Sequence, residues 1–223
     1  MNVPNKLTLS RIIVLPFFVI LLLFERIGGD GWIIVFTRFL ALVLYIGAMV
    51  TDIIDGRIAR RDNLVTNFGK LFDPLADKLM NCSALVALVE LRLIPGWIVI
   101  VILAREFIVT GLRSLALMQQ RVIAADRWGK NKTSAQVTVI IYGICYLLIR
   151  DLLQLQVFPI GERVQAIALT WLLYIYYVTL AVCVAVTVYS GWNYLANNWD
   201  LVRNHEHSSA GGPTKTVSSI ERS

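Results

Sequence analysis

Six apolar stretches, each long enough to cross a bilayer, leave this chain little room to fold as a soluble domain. They run roughly from Leu9 to Phe24, Trp32 to Ile54, Phe72 to Leu91, Gly96 to Met118, Thr133 to Ile149 and Val164 to Ala196. The first is expected to stay as a helix and not to be cleaved as a leader, because Phe24-Glu25-Arg26-Ile27 lacks the small-residue pattern of a cleavage site. The last exceeds one crossing and is expected to tilt, or to emerge into an interfacial turn near Trp192, Tyr194 and Trp199. The fold expected is all-α: a polytopic membrane protein with six transmembrane helices.

Composition agrees with the bilayer as solvent. Of 223 residues, 57% are hydrophobic and 16% charged, and the net charge is +6. In a soluble protein that charge would suggest nucleic acid; here it is assigned to basic loops facing anionic headgroups, and no nucleic-acid partner is expected. Lys6, Arg11, Arg57, Arg60, Arg61, Lys70, Arg121, Arg127, Lys130, Lys132, Arg203, Lys215 and Arg222 fall on one side of a six-span arrangement. Arg26, Arg92, Arg150 and Arg163 fall on the other. The basic excess places both termini in the cytoplasm and the protein in the cell (inner or plasma) membrane as a multi-pass protein. Residues 1–200 read as one membrane domain. Residues 201–223, polar and carrying His205 and His207, read as a disordered cytoplasmic tail. Cys82, Cys145 and Cys183 lie inside apolar runs without metal-binding spacing and read as buried free thiols.

Against this background four aspartates stand out. Asp52 and Asp55 close the second apolar run, and Asp73 and Asp77 open the third. On helices, spacings of three and four put each pair on one face. Four carboxylates gathered at a membrane boundary repel one another and need cations, and clustered oxygen ligands favour Mg²⁺ or Mn²⁺. Two pairs can hold two ions, enough to clamp a phosphoanhydride. Gly56 permits close approach to the backbone, Ala59 keeps the next turn small, and Arg60 offers a planar fork for phosphate oxygens. The competing reading is that the aspartates cap helices or pair with Arg57, Arg60, Arg61 and Lys70. The joint spacing of so many residue types argues for a site, and the basic excess on that side has it open to the cytoplasm.

Four more basic residues lie inside spans. Arg105 and Arg113 share one apolar helix, about 12 Å apart along the axis and about 80° around it. Intramembrane charge is expensive and usually functional, so they are candidates for an anionic ligand, with Lys130 or Lys132 completing the pocket. Snorkelling of Arg113 and an Arg105–Glu106 ion pair are the structural alternatives. Arg38 and Lys78 fit snorkelling or structural pairing better.

The string Asp52-Ile53-Ile54-Asp55-Gly56-Arg57-Ile58-Ala59-Arg60, followed by Gly69, Asp73 and Asp77, resembles the signature of the CDP-alcohol phosphotransferase family. The resemblance implies six helices, a cytoplasmic-side site, frequent homodimers, and transfer of a phosphatidyl or phospho-alcohol group from a CDP-activated donor to an alcohol with release of CMP. It makes Asp52, Asp55 and Asp73 metal ligands, and Asp77 both a ligand and the catalytic base. It puts Asn5, Thr8, Gly56, Ala59, Arg60, Thr66 and Gly69 on the donor side. Val3-Pro4-Asn5-Lys6-Leu7-Thr8-Leu9-Ser10-Arg11, Ala104-Arg105-Glu106-Phe107-Ile108-Val109-Thr110-Gly111-Leu112-Arg113 and Trp128-Gly129-Lys130-Asn131-Lys132-Thr133 are similar to the branch that uses sn-glycerol 3-phosphate. That branch implies CDP-diacylglycerol as donor, with Arg105, Arg113, Lys130 and Lys132 binding the acceptor phosphate. Serine, inositol or phosphatidylglycerol as acceptor, or a cation transporter, remain the alternatives.

Overall fold

The computed structural model describes residues 3–61, 67–118, 128–157 and 160–197, and within them side chains other than those of 3–9, 52–75, 77, 115, 117–118 and 128–133. The chain is all-helical there. Six helices follow in order: α1 (Val3–Leu22), α2 (Gly31–Arg61), α3 (Asn67–Glu90), α4 (Gly96–Met118), α5 (Trp128–Gln154) and α6 (Glu162–Asn197), with a 3₁₀ turn over Phe24–Arg26. The tail and Trp199 lie outside the described residues.

Among the described residues, three segments are long and apolar enough to cross a membrane: Gly31–Thr51, Ser134–Gln154 and Glu162–Asn197. α4 keeps the expected bounds but carries Arg105, Glu106 and Arg113 within its 23 residues. α2 has 31 residues and α6 has 36, well beyond the roughly 20 that a bilayer crossing needs. The helix α2 runs on without a break from Thr51 through Asp52 and Asp55 to Arg61. In α6 the expected turn near Trp192 and Tyr194 does not form; the helix runs unbroken to Asn197.

The helices pack in a ring, α1–α2–α5–α6–α4–α3 and back to α1, with α3 also touching α5 across the middle. The core is built from one stripe of each helix, including Phe18 and Leu22, Ala41 and Tyr45, Ala84 and Leu88, Ile102, Ile140 and Ile144, and Tyr176 and Leu180. Gly143 marks a tight crossing, since a Cβ there would meet Leu88, Leu93 and the Tyr176 hydroxyl, each at 3.2 Å. Outside, Phe17, Phe36, Phe39, Phe107, Trp171 and Val182 are exposed, an apolar exterior suited to lipid. Cys183 is buried, whereas Cys82 and Cys145 are only half-buried.

Two helix ends are closed by the same device. Arg92 and Gln156 adopt left-handed backbone, φ 59° and 53°. Leu93 N–H then bonds Leu88 O and Val157 N–H bonds Leu152 O, which satisfies carbonyls the helices would leave open.

The chain also folds around a buried charge network that its sequence reading left as a general pairing. Arg38 is fully buried and donates to the carboxylates of Asp151 on α5 and Glu25 in the 3₁₀ turn, and to Leu147 O at 3.2 Å. Arg150 bonds the same two acids, at 3.1 Å to Glu25 Oε2 and 3.0 Å to Asp151 Oδ1. Nearby in sequence, Arg26 donates to Glu90 O at the end of α3. Lys78 likewise pairs structurally, donating to the Thr110 hydroxyl of α4.

Candidate functional site

The inward registers of α2 and α3 can be extended along each helix to the aspartate positions. On α2 the buried residues Arg38, Ala41 and Tyr45 and half-buried Ala48 recur every three or four positions. Extending that register gives Asp52, Asp55 and Ala59, with Gly56 and Arg60 one turn on from Asp52 and Gly56 respectively. On α3, Asp73 precedes buried Ala76 by three residues, and Asp77 precedes buried Met80 and Asn81 by three and four. Gly69 lies one turn before Asp73. Each pair therefore sits on one face of a helix, as the spacing predicts.

The two faces meet. Tyr45 Oη donates to Asn81 Oδ1 at 2.7 Å between the helices. From this contact Asp52 is seven residues on along α2, about 10 Å, while Asp77 and Asp73 are four and eight residues back along α3, about 6 and 12 Å. Counted in opposite directions along the two helices from this contact, Asp52 falls at an axial level between the two α3 aspartates.

α1 brings the N-terminal candidates to the same end. Phe18 packs its ring on Tyr45, centroids 5.7 Å apart. Thr8 is ten residues before Phe18 and Asp55 ten after Tyr45, so the antiparallel pair sets them level. Asn5 and Thr8 share the register of Arg11, Phe18 and Leu22, all buried. Thr66 lies outside the described residues.

The cationic candidates divide by depth. Lys78 to Thr110 fixes α4 against α3, which levels Arg113 with the stretch between Asp73 and Asp77 and puts Arg105 about 12 Å deeper. Arg113 is exposed, while the Arg105 side chain is 11% exposed. Arg105 donates to the Ser190 hydroxyl of α6 at 2.6 Å and approaches Glu106 at 3.8 Å; its Nε is buried with no partner among the described residues. Ser190 is a residue that the sequence reading missed, and only its register in the buried stripe of α6 hints at it. On α5, Lys132 holds the position one turn before buried Gln136, and Lys130 the one before exposed Ser134, so the register favours Lys132.

Among the described residues no cluster of metal-ligating side chains occurs, the aspartate side chains lying outside that set. The donor chemistry nonetheless suits hard divalent ions: two pairs of carboxylate residues, one on α2 and one on α3, close together in the sequence. α2 is continuous through Asp52 and Asp55, unlike the broken helices on which transporters build midplane cation sites.

Residues 1–189 match the profile of the family described as CDP-alcohol phosphatidyltransferase. The chain is 41% identical over 207 residues to the CDP-diacylglycerol–glycerol-3-phosphate 3-phosphatidyltransferase of Bacillus subtilis (strain 168), covering 91% of this chain and 97% of that one. It is 40% identical over 136 residues to the protein of that name from Rickettsia typhi, covering 61% and 72%. It is 38% identical over 150 residues to the one from Mycoplasma pneumoniae, covering 63% and 66%.

Proposed function

Since the chain belongs to the CDP-alcohol phosphatidyltransferase family, we propose that it transfers the phosphatidyl group of CDP-diacylglycerol to sn-glycerol 3-phosphate, giving phosphatidylglycerophosphate and CMP. The observation that carries this reading is the likeness to the Bacillus subtilis enzyme along nearly the full length of both chains.

The diacyl tails stay in the bilayer and the CDP head enters the end of the bundle where α1, α2 and α3 meet. Asn5, Thr8, Gly56, Ala59, Arg60, Thr66 and Gly69 receive the nucleotide and diphosphate. Asp52, Asp55, Asp73 and Asp77 hold two divalent cations, Mg²⁺ or Mn²⁺, which when bound supply charge neutralisation for the diphosphate and for the attacking and leaving oxygens. Arg113, level with the carboxylates, and the deeper Arg105 bind the acceptor phosphate, with Lys132 or Lys130 closing the pocket. Asp77 takes the proton of the acceptor's primary hydroxyl. That oxygen attacks the phosphorus next to the lipid, the bond from this phosphorus to the bridging oxygen breaks, and CMP departs. The charge on the acceptor's phosphate makes cationic side chains its natural ligands.

The six helices cross the cytoplasmic membrane with both termini and the aspartate end facing the cytoplasm, where both water-soluble participants are found, and two copies associate as a homodimer. The test is direct: purified protein with labelled sn-glycerol 3-phosphate should move label into the lipid phase only when CDP-diacylglycerol is present. Label that stays in water under those conditions would overturn the reading.

A further inference from the structure

The inner stripe of α6 changes character halfway along. Tyr176, Leu180 and Cys183 join the main core, and one turn later Thr187, Ser190 and Tyr194 take over the same stripe, all buried. A polar stripe inside a membrane bundle is costly unless its groups are engaged. Opposite this half of α6 lies α4, with Val109 and Leu112 packed on Tyr194 and Arg105 bonded to Ser190 at 2.6 Å. Beside that bond, Gly191 leaves room for the arginine stem: a Cβ there would fall 2.7 Å from Arg105 Cγ and 3.7 Å from Nε. The Thr187 hydroxyl and Arg105 Nε are both buried without a partner among the described residues.

A guanidinium carries five N–H donors and no acceptor. Ser190 accepts one, Glu106 is 3.8 Å away, and the buried Nε–H still lacks an acceptor. An anion arriving here would meet donors already held in place, and would need no costly reordering of a long side chain.

We propose that Ser190 is a positioning residue for Arg105, fixing its guanidinium for the acceptor's phosphate, and that Gly191 provides the space in which the arginine stem lies. This rests on the reading of Arg105 as an acceptor-phosphate ligand. Ser190 acts through the arginine and touches no reacting atom.

The experiment compares steady-state kinetics of the full chain and five variants: Ser190→Ala, Ser190→Thr, Gly191→Ala, Arg105→Ala and the double variant Ser190→Ala/Arg105→Ala. Ser190→Ala should raise KM for sn-glycerol 3-phosphate about five- to tenfold, the scale of one typical hydrogen bond. Its KM for CDP-diacylglycerol and its kcat should stay within about twofold. Ser190→Thr, which keeps the hydroxyl, should restore most of the acceptor affinity. Gly191→Ala should raise the acceptor KM at least as much as Ser190→Ala. Added to Arg105→Ala, the serine substitution should have no further effect, because its partner is gone. An equal penalty with and without Arg105 would reduce Ser190 to a packing residue and overturn the proposal alone. An unchanged acceptor KM in Arg105→Ala would instead overturn the acceptor-site reading, and this proposal with it. Should Ser190→Ala fail to fold, Gly191→Ala measured in both arginine backgrounds decides the same question.

Discussion

Tyr45 and Asn81 join the two aspartate-bearing helices inside the bundle, with the tyrosine hydroxyl 2.7 Å from the asparagine oxygen. The bond lies two turns from Asp52 and one turn from Asp77. It therefore sets the register between the carboxylate pairs of α2 and α3.

Tyr45→Phe removes that bond while keeping the ring that packs on Phe18. Interhelical hydrogen bonds in membranes are worth about 0.6–2 kcal/mol, so the protein should fold and melt only slightly earlier in detergent. The Mg²⁺ concentration giving half-maximal activity should rise several-fold, since the pairs lose their common register. An unchanged metal titration would show that the bond does not govern the site.

The Arg38 network is predicted to act on stability and not on catalysis. Arg38→Met leaves buried Asp151 without its deepest partner, and breaking a buried ion pair from one side costs about 3–5 kcal/mol. A large fall in thermal stability with near-normal KM values for both substrates is expected. Burial alone would raise the Glu25 carboxyl, but the guanidiniums of Arg38 and Arg150 outweigh it and hold it below its ordinary value. A carboxyl depressed in the folded state stabilises above its unfolded pKa, near 4.3, and loses that contribution as pH falls through the folded one. The melting temperature should fall more steeply below about pH 4.3 in the wild type than in Glu25→Gln. Parallel curves would remove Glu25 from the network's energetics.

Metal dependence follows from the carboxylates. Excess chelator should abolish turnover and added Mg²⁺ or Mn²⁺ restore it, while Asp52→Asn and Asp73→Asn should lose activity that excess metal does not recover. Asp77→Asn should still bind CDP-diacylglycerol within about a few-fold while turnover falls by about 10²–10⁴, the usual worth of a positioned base. Full turnover in chelator would sink the metal reading, and near-normal turnover in Asp77→Asn would move the base role elsewhere.

Orientation can be read from one cysteine. Introduced at Asn63, between α2 and α3, it should be shielded from an impermeant thiol reagent in intact cells and react after lysis. Labelling before lysis would put the aspartate end on the outer side.

Much of the scaffold was legible because hydropathy is local. Gly96 and Met118 bound α4 as the apolar run predicted, and the Asp52–Asp55 and Asp73–Asp77 spacings became helix faces once α2 and α3 proved helical there. What depends on pairing between distant helices was not legible. Arg38 finds Asp151 across 113 positions and Arg105 finds Ser190 across 85. Neither partner can be chosen from charge or spacing, because packing sets which stripes face each other. The turn expected near Trp192 failed for the same reason. Ser190, Gly191 and Tyr194 pack on α4 and keep α6 helical beyond the length a bilayer requires.

The account as a whole turns on the acceptor. With purified protein, CDP-diacylglycerol and Mg²⁺, CMP release should be measured with sn-glycerol 3-phosphate, serine, inositol, phosphatidylglycerol or no acceptor. Rapid CMP release with sn-glycerol 3-phosphate alone, matched by phosphatidylglycerophosphate formed in equal amount, is the predicted result. Equal or faster release with another acceptor, or with none, would contradict it.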